Sequence, residues 1–105
     1  MDIKIEAQNH ENQEQLAAHY TKLLTKKYGK YPFVKSIDLK IDQTSEGPKV
    51  GIRIKPEKGD SLYVSSTNPN EHTAAQQTIK KMSRLIEKYK EQHYHKVDSS
   101  HKSMI

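Results

Sequence analysis

The spacing of the apolar residues changes along the chain, and these changes constrain the fold more than any other feature. Four short runs alternate apolar with polar residues, which is the period of a strand with one buried face. The first run is residues 2–7, and the others centre on Ile37-Leu39-Ile41, Val50-Ile52-Ile54 and Leu62-Val64. We therefore predict four strands, the last three joined as antiparallel hairpins by short polar turns that contain Gly and Pro.

A longer segment, residues 12–28, has the period of a helix instead. Its apolar positions recur every third or fourth residue and are Leu16, Tyr20, Leu23, Leu24 and Tyr28. Gly29 stands where a left-handed C-terminal cap is expected, and Pro32 prevents the helix from continuing. The chain is therefore predicted to turn at this point.

A second helix follows the fourth strand. Either Asn68 or Asn70 is a suitable N-cap for it. Its apolar face consists of Ala75, Thr78, Ile79, Met82, Leu85, Ile86 and Tyr89. From His93 onward the periodicity stops and Ser, His and Lys dominate. We therefore expect a folded domain over residues 1–92 and a disordered tail over residues 93–105.

The resulting order, β-α-β-β-β-α, predicts an α+β fold in which two helices pack on one face of a four-stranded sheet. Without its first strand this is the order of a double-stranded-RNA-binding domain. Only 32% of the residues are hydrophobic, so the core is thin and a deep pocket for a small-molecule substrate is not expected.

The basic residues indicate an acidic partner. The net charge is +5, and much of it lies in two helical stripes. The first stripe consists of Lys22, Lys26 and Lys30, and the second consists of Lys80, Lys81, Arg84 and Lys88. Like charges one turn apart oppose helix formation, so solubility alone does not explain them and a polyanion does. The outward strand positions carry a mixed set of charges and one aromatic residue, Tyr63, too few for base stacking on the sheet.

The same residues carry a resemblance to a known family. Helix 1 has the pattern K-x-x-x-K at Lys22 and Lys26, and Ala74-Ala75 lie near the start of helix 2. Helix 2 continues as Lys81-Met82-Ser83-Arg84-Leu85-Ile86-Glu87-Lys88-Tyr89-Lys90. With the β-α-β-β-β-α order, this resembles the ribosome hibernation-promoting factors and ribosome-associated inhibitors over about residues 2–91. Asn70 and His72 depart from the family, which usually has an acidic residue and a Tyr there.

The resemblance implies a cytoplasmic protein without a cofactor. Such proteins bind the small ribosomal subunit between head and body, along the messenger and tRNA channel, and silence translation in starved or stationary cells. The ribosomal RNA contacts would fall to Lys22, Lys26, Lys81, Arg84 and Lys88. Lys30 and Lys80 join them because of their place in the stripes. The chain resembles the short forms, which lack the carboxy-terminal domain that pairs ribosomes, so ribosome pairing by this chain alone is not implied. We expect a monomer, and we expect no membrane binding because no segment of the sequence approaches the length and hydrophobicity of a membrane span.

Three other classes of function are open to a small basic domain. A double-stranded-RNA-binding module is the nearest alternative, although the extra first strand argues against it. A protein-binding adaptor would need an exposed apolar patch, and few apolar residues remain once the core is filled. An enzyme is not expected, because the chain has no Cys and no recognised catalytic motif. His93-x-His95 with His101 could bind a metal weakly, but a solvated tail explains it better, so no metal site is predicted.

Overall fold

The four strands form one sheet in chain order. The computed structural model describes residues 1–7 and 12–99, the last six of these by their backbone only. The strands are β1 (Asp2–Ala7), β2 (Val34–Thr44), β3 (Gly47–Pro56) and β4 (Leu62–Thr67). β1 lies parallel to β2, and the other neighbours are antiparallel. With α1 (Gln13–Tyr28) and α2 (Glu71–Ser99), this confirms the predicted α+β order and both hairpins.

The register of the sheet places the apolar residues of all four strands on one face. Leu39 is aligned with Ile5 of β1 on one side and with Ile52 of β3 on the other. Ile52 is in turn aligned with Val64 of β4. Because side chains alternate along a strand, the residues between them point to the opposite face. Both helices contribute to the core on the apolar face, which leaves the other face to solvent.

α1 is held by three buried side chains, Tyr20, Leu24 and Tyr28. Burial raises the pKa of the Tyr28 phenol, and a hydrogen bond with the Ser83 hydroxyl at 3.3 Å acts in the opposite direction. The Tyr28 hydroxyl also donates to the Ile79 carbonyl at 3.0 Å. The end of α1 is therefore tied to the middle of α2.

α2 begins where the second of the two candidate caps predicts. The side-chain oxygen of Asn70 accepts a hydrogen bond from the Thr73 N–H at 3.0 Å, and the Asn70 carbonyl accepts one from Ala74 at 3.0 Å. Inside the helix, the buried Thr78 hydroxyl lies 2.9 Å from the Val50 carbonyl of β3. This contact fixes α2 against the centre of the sheet.

α2 continues beyond the point where a tail is predicted. Residues 93–99 are helical, whereas the loss of apolar periodicity predicts that regular structure ends at His93. The segment 71–99 contains neither Gly nor Pro, so nothing in it breaks a helix. The loss of periodicity marks the end of the core-facing stripe rather than the end of the helix. Residues 100–105 of the predicted tail lie outside the described residues.

Aromatic rings connect three parts of the chain at one end of the domain. Phe33 lies between Tyr31 and Tyr89, with ring centres 5.4 and 5.0 Å away, and Tyr89 contacts His93 at 4.2 Å. The Tyr89 hydroxyl donates to the Lys58 carbonyl at 2.7 Å. The α1–β2 connection, the β3–β4 turn and α2 are thereby held together.

Candidate nucleic-acid interface

The first candidate residues lie on α1. Its buried side chains face the sheet, so the opposite side of the helix faces solvent. Lys22 and Lys26 lie one turn apart and are both exposed. The structure therefore confirms that these two lysines form an exposed basic stripe on α1, and their role in binding stays a prediction.

Lys30 lies two residues beyond the end of α1, the helix that carries Lys22 and Lys26, and its role in binding stays a prediction. α1 ends at Tyr28, and Gly29 has φ −64° and ψ −20°, so the predicted left-handed cap is wrong. The Gly29 N–H donates to the Thr25 carbonyl at 2.8 Å, which completes the last turn in right-handed geometry. The chain then turns away, and the Lys30 ammonium lies 5.4 Å from the centre of the Tyr31 ring. Lys30 is thus a cation at the end of the domain, beside the aromatic rings.

Three of the four predicted cations of α2 converge on one cleft, which we call the β4–α2 cleft. It is lined by Ser66, Thr67, Gln77, Lys80, Lys81 and Arg84. The Lys81 ammonium donates to the Ser65 carbonyl at 2.9 Å, which holds it over β4. Lys88 follows Arg84 by one helical turn and is exposed. The predicted α2 stripe is therefore present and borders the exposed edge of the sheet.

A groove between the two helices adds residues that the pattern analysis missed. It is lined by His19, Leu23, Lys27, His72, Gln76, Ile79, Lys80 and Ser83. Lys27 falls in the apolar sector of a helical wheel, so it does not stand out among the surface cations. The signal that could have identified Lys27 is its place within the apolar sector. At such a position the carbon stem of a lysine covers apolar surface while its ammonium group reaches water. Lys80 borders both this groove and the β4–α2 cleft, so the cationic surface is continuous across α2.

Glu87 is drawn away from the cationic stripe. Its carboxylate accepts a hydrogen bond from the Tyr31 hydroxyl at 2.8 Å. Burial, the largest single cause, and the neighbouring Glu87 carboxylate together raise the pKa of Tyr31 to about 12. The contact fixes the α1–β2 connection against α2, and it places the negative charge on the side that faces α1.

The outer face of the sheet is a weaker candidate for binding a polyanion. Acidic and basic residues alternate on it, as predicted: Asp2, Lys4, Glu6, Asp38, Lys40, Asp42, Lys49, Arg53 and Lys55. Tyr63 is 48% exposed, and its ring has the Arg53 guanidinium 5.0 Å from its centre. The ring lies over Gly51, where a Cβ would come within 2.7 Å of the Tyr63 hydroxyl. One aromatic side chain among mixed charges favours neither base stacking nor phosphate binding.

Among the residues with described side chains, no three His, Cys, Asp or Glu residues form a group that could hold a metal ion. The side chains of His95 and His101 lie outside this set, so the possible weak metal site of the tail is not tested. Within residues 1–7 and 12–99, no helix is long and apolar enough to cross a bilayer.

The comparisons with known proteins agree with the resemblance inferred from the sequence. A ribosomal subunit interface protein from Coxiella burnetii has a TM-score of 0.73 at 16% identity, over 86% of this chain and 98% of that one. The N-terminal domain of Thermus thermophilus Protein Y has a TM-score of 0.70 at 13% identity, over 85% of this chain and 99% of that one. These similarities show a shared fold.

No curated protein sequence matches the chain significantly. The model of one family, sigma 54 modulation protein / S30EA ribosomal protein, matches residues 3–94. That range includes both helices up to residue 94 and all four strands except Asp2. The chain therefore belongs to the sigma 54 modulation protein / S30EA ribosomal protein family.

Proposed function

We propose that this protein binds the small ribosomal subunit through its helix layer and blocks the messenger and tRNA channel. Translation is thereby silenced in starved or stationary cells. The observation that carries the proposal is the convergence of Lys80, Lys81 and Arg84 on one cleft beside an otherwise mixed surface. The family adds support, since one structural neighbour is named a ribosomal subunit interface protein.

The contacts with ribosomal RNA are assigned to the cations that the helices present. On α1 these are Lys22 and Lys26, and on α2 they are Lys80, Lys81, Arg84 and Lys88. Lys30 is a further contact at the end of the domain, separate from the α1 stripe. Each lysine or arginine that meets a phosphate releases a condensed counterion. The affinity is therefore expected to fall by about 0.7 to 0.9 log units per contact for each tenfold increase in salt.

The mode of inhibition is steric and requires no chemistry from the chain. In an A-form RNA helix, side chains can reach the shallow minor groove. This groove presents mainly riboses and phosphates and reveals little of the base sequence, so proteins recognise folded RNA mainly by its shape and charge. A rigid layer of two helices presents fixed cations to such a surface. We propose that the protein acts as a monomer in the cytoplasm, where ribosomes translate, and needs no cofactor.

Charge reversal on α2 tests which face binds. Lys81, Arg84 and Lys88 are changed together to Glu, and co-sedimentation with purified small subunits is measured at low salt. A matched control changes Lys4, Lys49 and Lys55 of the outer sheet face to Glu, which gives the same net charge. We expect the α2 variant to lose binding and the control to retain most of it. Equal binding by the two variants would contradict the proposal that the helix layer is the binding face.

Two further binding experiments distinguish the proposed function from a double-stranded-RNA-binding module and from a protein-binding adaptor. A double-stranded-RNA-binding module would bind an isolated RNA duplex as tightly as it binds the small subunit. A protein-binding adaptor would retain its binding at high salt, because its contacts would be mainly apolar. We expect weaker binding to the duplex and loss of subunit binding as salt rises. Gradients of extracts from growing and starved cells then test the physiological setting, with the protein expected on ribosomes in starved cells.

A further inference from the structure

Ser66 is a buried polar residue whose hydroxyl lacks a partner. It is 8% exposed, and its Oγ has no hydrogen bond within the described part of the chain. Ser66 lies near the end of β4 and is aligned with the buried Val50 of β3, on the side of the sheet that faces the helices. Because a buried hydroxyl without a partner destabilises a folded chain, the presence of Ser66 at this position calls for an explanation. A partner from outside the chain would supply one.

The surroundings of Ser66 are those of an anion site. Ser66 lines the β4–α2 cleft, where the three cations of α2 meet. Gln77, Lys80, Lys81 and Arg84 have the spacing i, i+3, i+4 and i+7, so a single helix face presents them. None of the described side chains that line the cleft is a carboxylate. The cleft has a volume of about 400 Å³, which leaves room for a phosphate and its attached sugar.

We propose that the β4–α2 cleft binds one backbone phosphate of RNA, and that the Ser66 hydroxyl donates to a phosphate oxygen there. Lys80 and Arg84 supply the charge, and Lys81 is already held over β4 by its hydrogen bond to the Ser65 carbonyl. The inference rests on the proposed function for the source of the phosphate. The inference adds the neutral Ser66 hydroxyl to the RNA contacts, all of which were otherwise assigned to positively charged side chains.

The hydroxyl is tested by Ser66→Ala, with Ser65→Ala as the matched control. Ser65 is the neighbouring residue on β4 and its side chain points to the opposite face of the sheet. Removing an unpartnered buried hydroxyl should leave the thermal midpoint of the free protein unchanged or raise it. The same change should weaken binding to small subunits about three- to tenfold, the loss of one hydrogen bond. Ser65→Ala should leave both quantities unchanged.

The salt dependence of binding distinguishes the loss of the Ser66 hydroxyl from the loss of a positive charge. Ser66→Ala removes no charge, so the slope of log affinity against log salt should stay as in the unmodified protein. Arg84→Gln should lower that slope by about 0.7 to 0.9. If Ser66→Ala binds small subunits as tightly as the unmodified protein, the cleft proposal is overturned while the proposed function stands.

A direct titration identifies the ligand independently of the ribosome. Backbone amide signals of the cleft are followed by NMR while inorganic phosphate, and separately a single-stranded oligoribonucleotide, is added. We expect both to shift the signals of Ser66 and Thr67, the oligonucleotide at much lower concentration, and Ser66→Ala to weaken both. Equal affinity for the two probes would overturn the assignment to RNA in favour of free phosphate. Absence of any shift at these residues would overturn the site itself. If the cleft titrates while the unmodified protein fails to bind small subunits, the proposed function fails and the phosphate site stands.

Discussion

The Tyr28 hydroxyl donates a hydrogen bond to the Ile79 carbonyl at 3.0 Å, and this contact joins the last residue of α1 to the middle of α2. Residue 28 follows Lys26 by two positions, and Ile79 directly precedes Lys80. The bond therefore ties the α1 stripe to the cationic face of α2. A surface that recognises folded RNA by shape depends on such a fixed spacing.

Changing Tyr28 to Phe removes this bond and the hydrogen bond with the Ser83 hydroxyl, and it keeps the ring. We expect the free energy of unfolding to fall by about 1 to 2 kcal/mol, since each such bond usually contributes about 1 kcal/mol. Urea denaturation measures the change. Tyr63→Phe is the control, because Tyr63 is 48% exposed, so the urea midpoint of this variant should not move. Equal midpoints for the two variants would contradict the role assigned to the contact.

The start of α2 is tested at its two candidate caps. Asn70 accepts the Thr73 N–H through its side chain, so Asn70→Ala should lower the free energy of unfolding by about 1 kcal/mol. Asn70→Ser keeps an acceptor and should retain most of the stability. Asn68→Ala should have the smaller effect of the two alanine changes. A larger loss at Asn68 would place the helix start two residues earlier.

Two glycines give opposite predictions for the same substitution. Gly47 has φ 118°, and a Cβ there would lie 2.8 Å from the backbone of Asn68 and Pro69. Gly47→Ala should therefore destabilise the fold by about 1 to 3 kcal/mol. At Gly51 the atoms nearest to an added Cβ belong to the far end of the Tyr63 side chain, which is 48% exposed and can move aside. Gly51→Ala should change the stability by less than about 1 kcal/mol, because alanine lowers the entropy of the unfolded chain. Denaturation of both variants under identical conditions makes the comparison, and equal losses would contradict it.

Alkaline pH provides a test of the Tyr31 contact. Burial and the Glu87 carboxylate raise the pKa of Tyr31 from 10.0 to about 12. Between these values the folded chain keeps a proton that the unfolded chain loses, so the free energy of unfolding falls as pH rises through this window. Tyr31→Phe should reduce that fall. In a phenolate absorbance titration, Glu87→Gln should lower the pKa of Tyr31 only part of the way towards 10.0, because burial also raises this pKa and remains in the variant. A full return to 10.0 would show that the carboxylate dominates.

Much of the fold follows from local pattern. The parity of Ile37, Ile52 and Val64 places them on one face, and the register confirms it. Alternation and helical periodicity each depend only on neighbouring residues, which explains why they can be recognised in one sequence. The end of α2 could not be predicted in this way. Apolar periodicity indicates only which part of a helix packs on the sheet, and α2 continues beyond the part that packs there. The ring contacts of Phe33 with Tyr31 and Tyr89 depend on tertiary structure, and no local pattern indicates the contact with Tyr89.

The candidate site could be predicted in part for the same reason. A helical wheel identifies Lys22, Lys26 and Arg84 as surface cations, since each lies opposite or beside the apolar face. It includes Lys30 only by continuing the wheel two residues beyond Tyr28, which is both the predicted and the observed end of α1. It also omits Lys27, which becomes part of a groove only when α2 packs beside α1. Ser66 is indistinguishable from any strand serine until the cleft around it is known.

The binding of the small subunit by a cationic helix layer is tested by the affinity for purified subunits at increasing salt. The unmodified protein is titrated against small and large subunits separately, with fluorescence anisotropy as the readout. We predict tight binding to the small subunit at low salt. The log of the affinity should fall linearly with the log of the salt concentration, and each phosphate contact should contribute about 0.7 to 0.9 to the steepness of that slope. Binding to the large subunit should be weaker. Affinity for the small subunit that does not change with salt, or that does not exceed the affinity for the large subunit, would contradict the account.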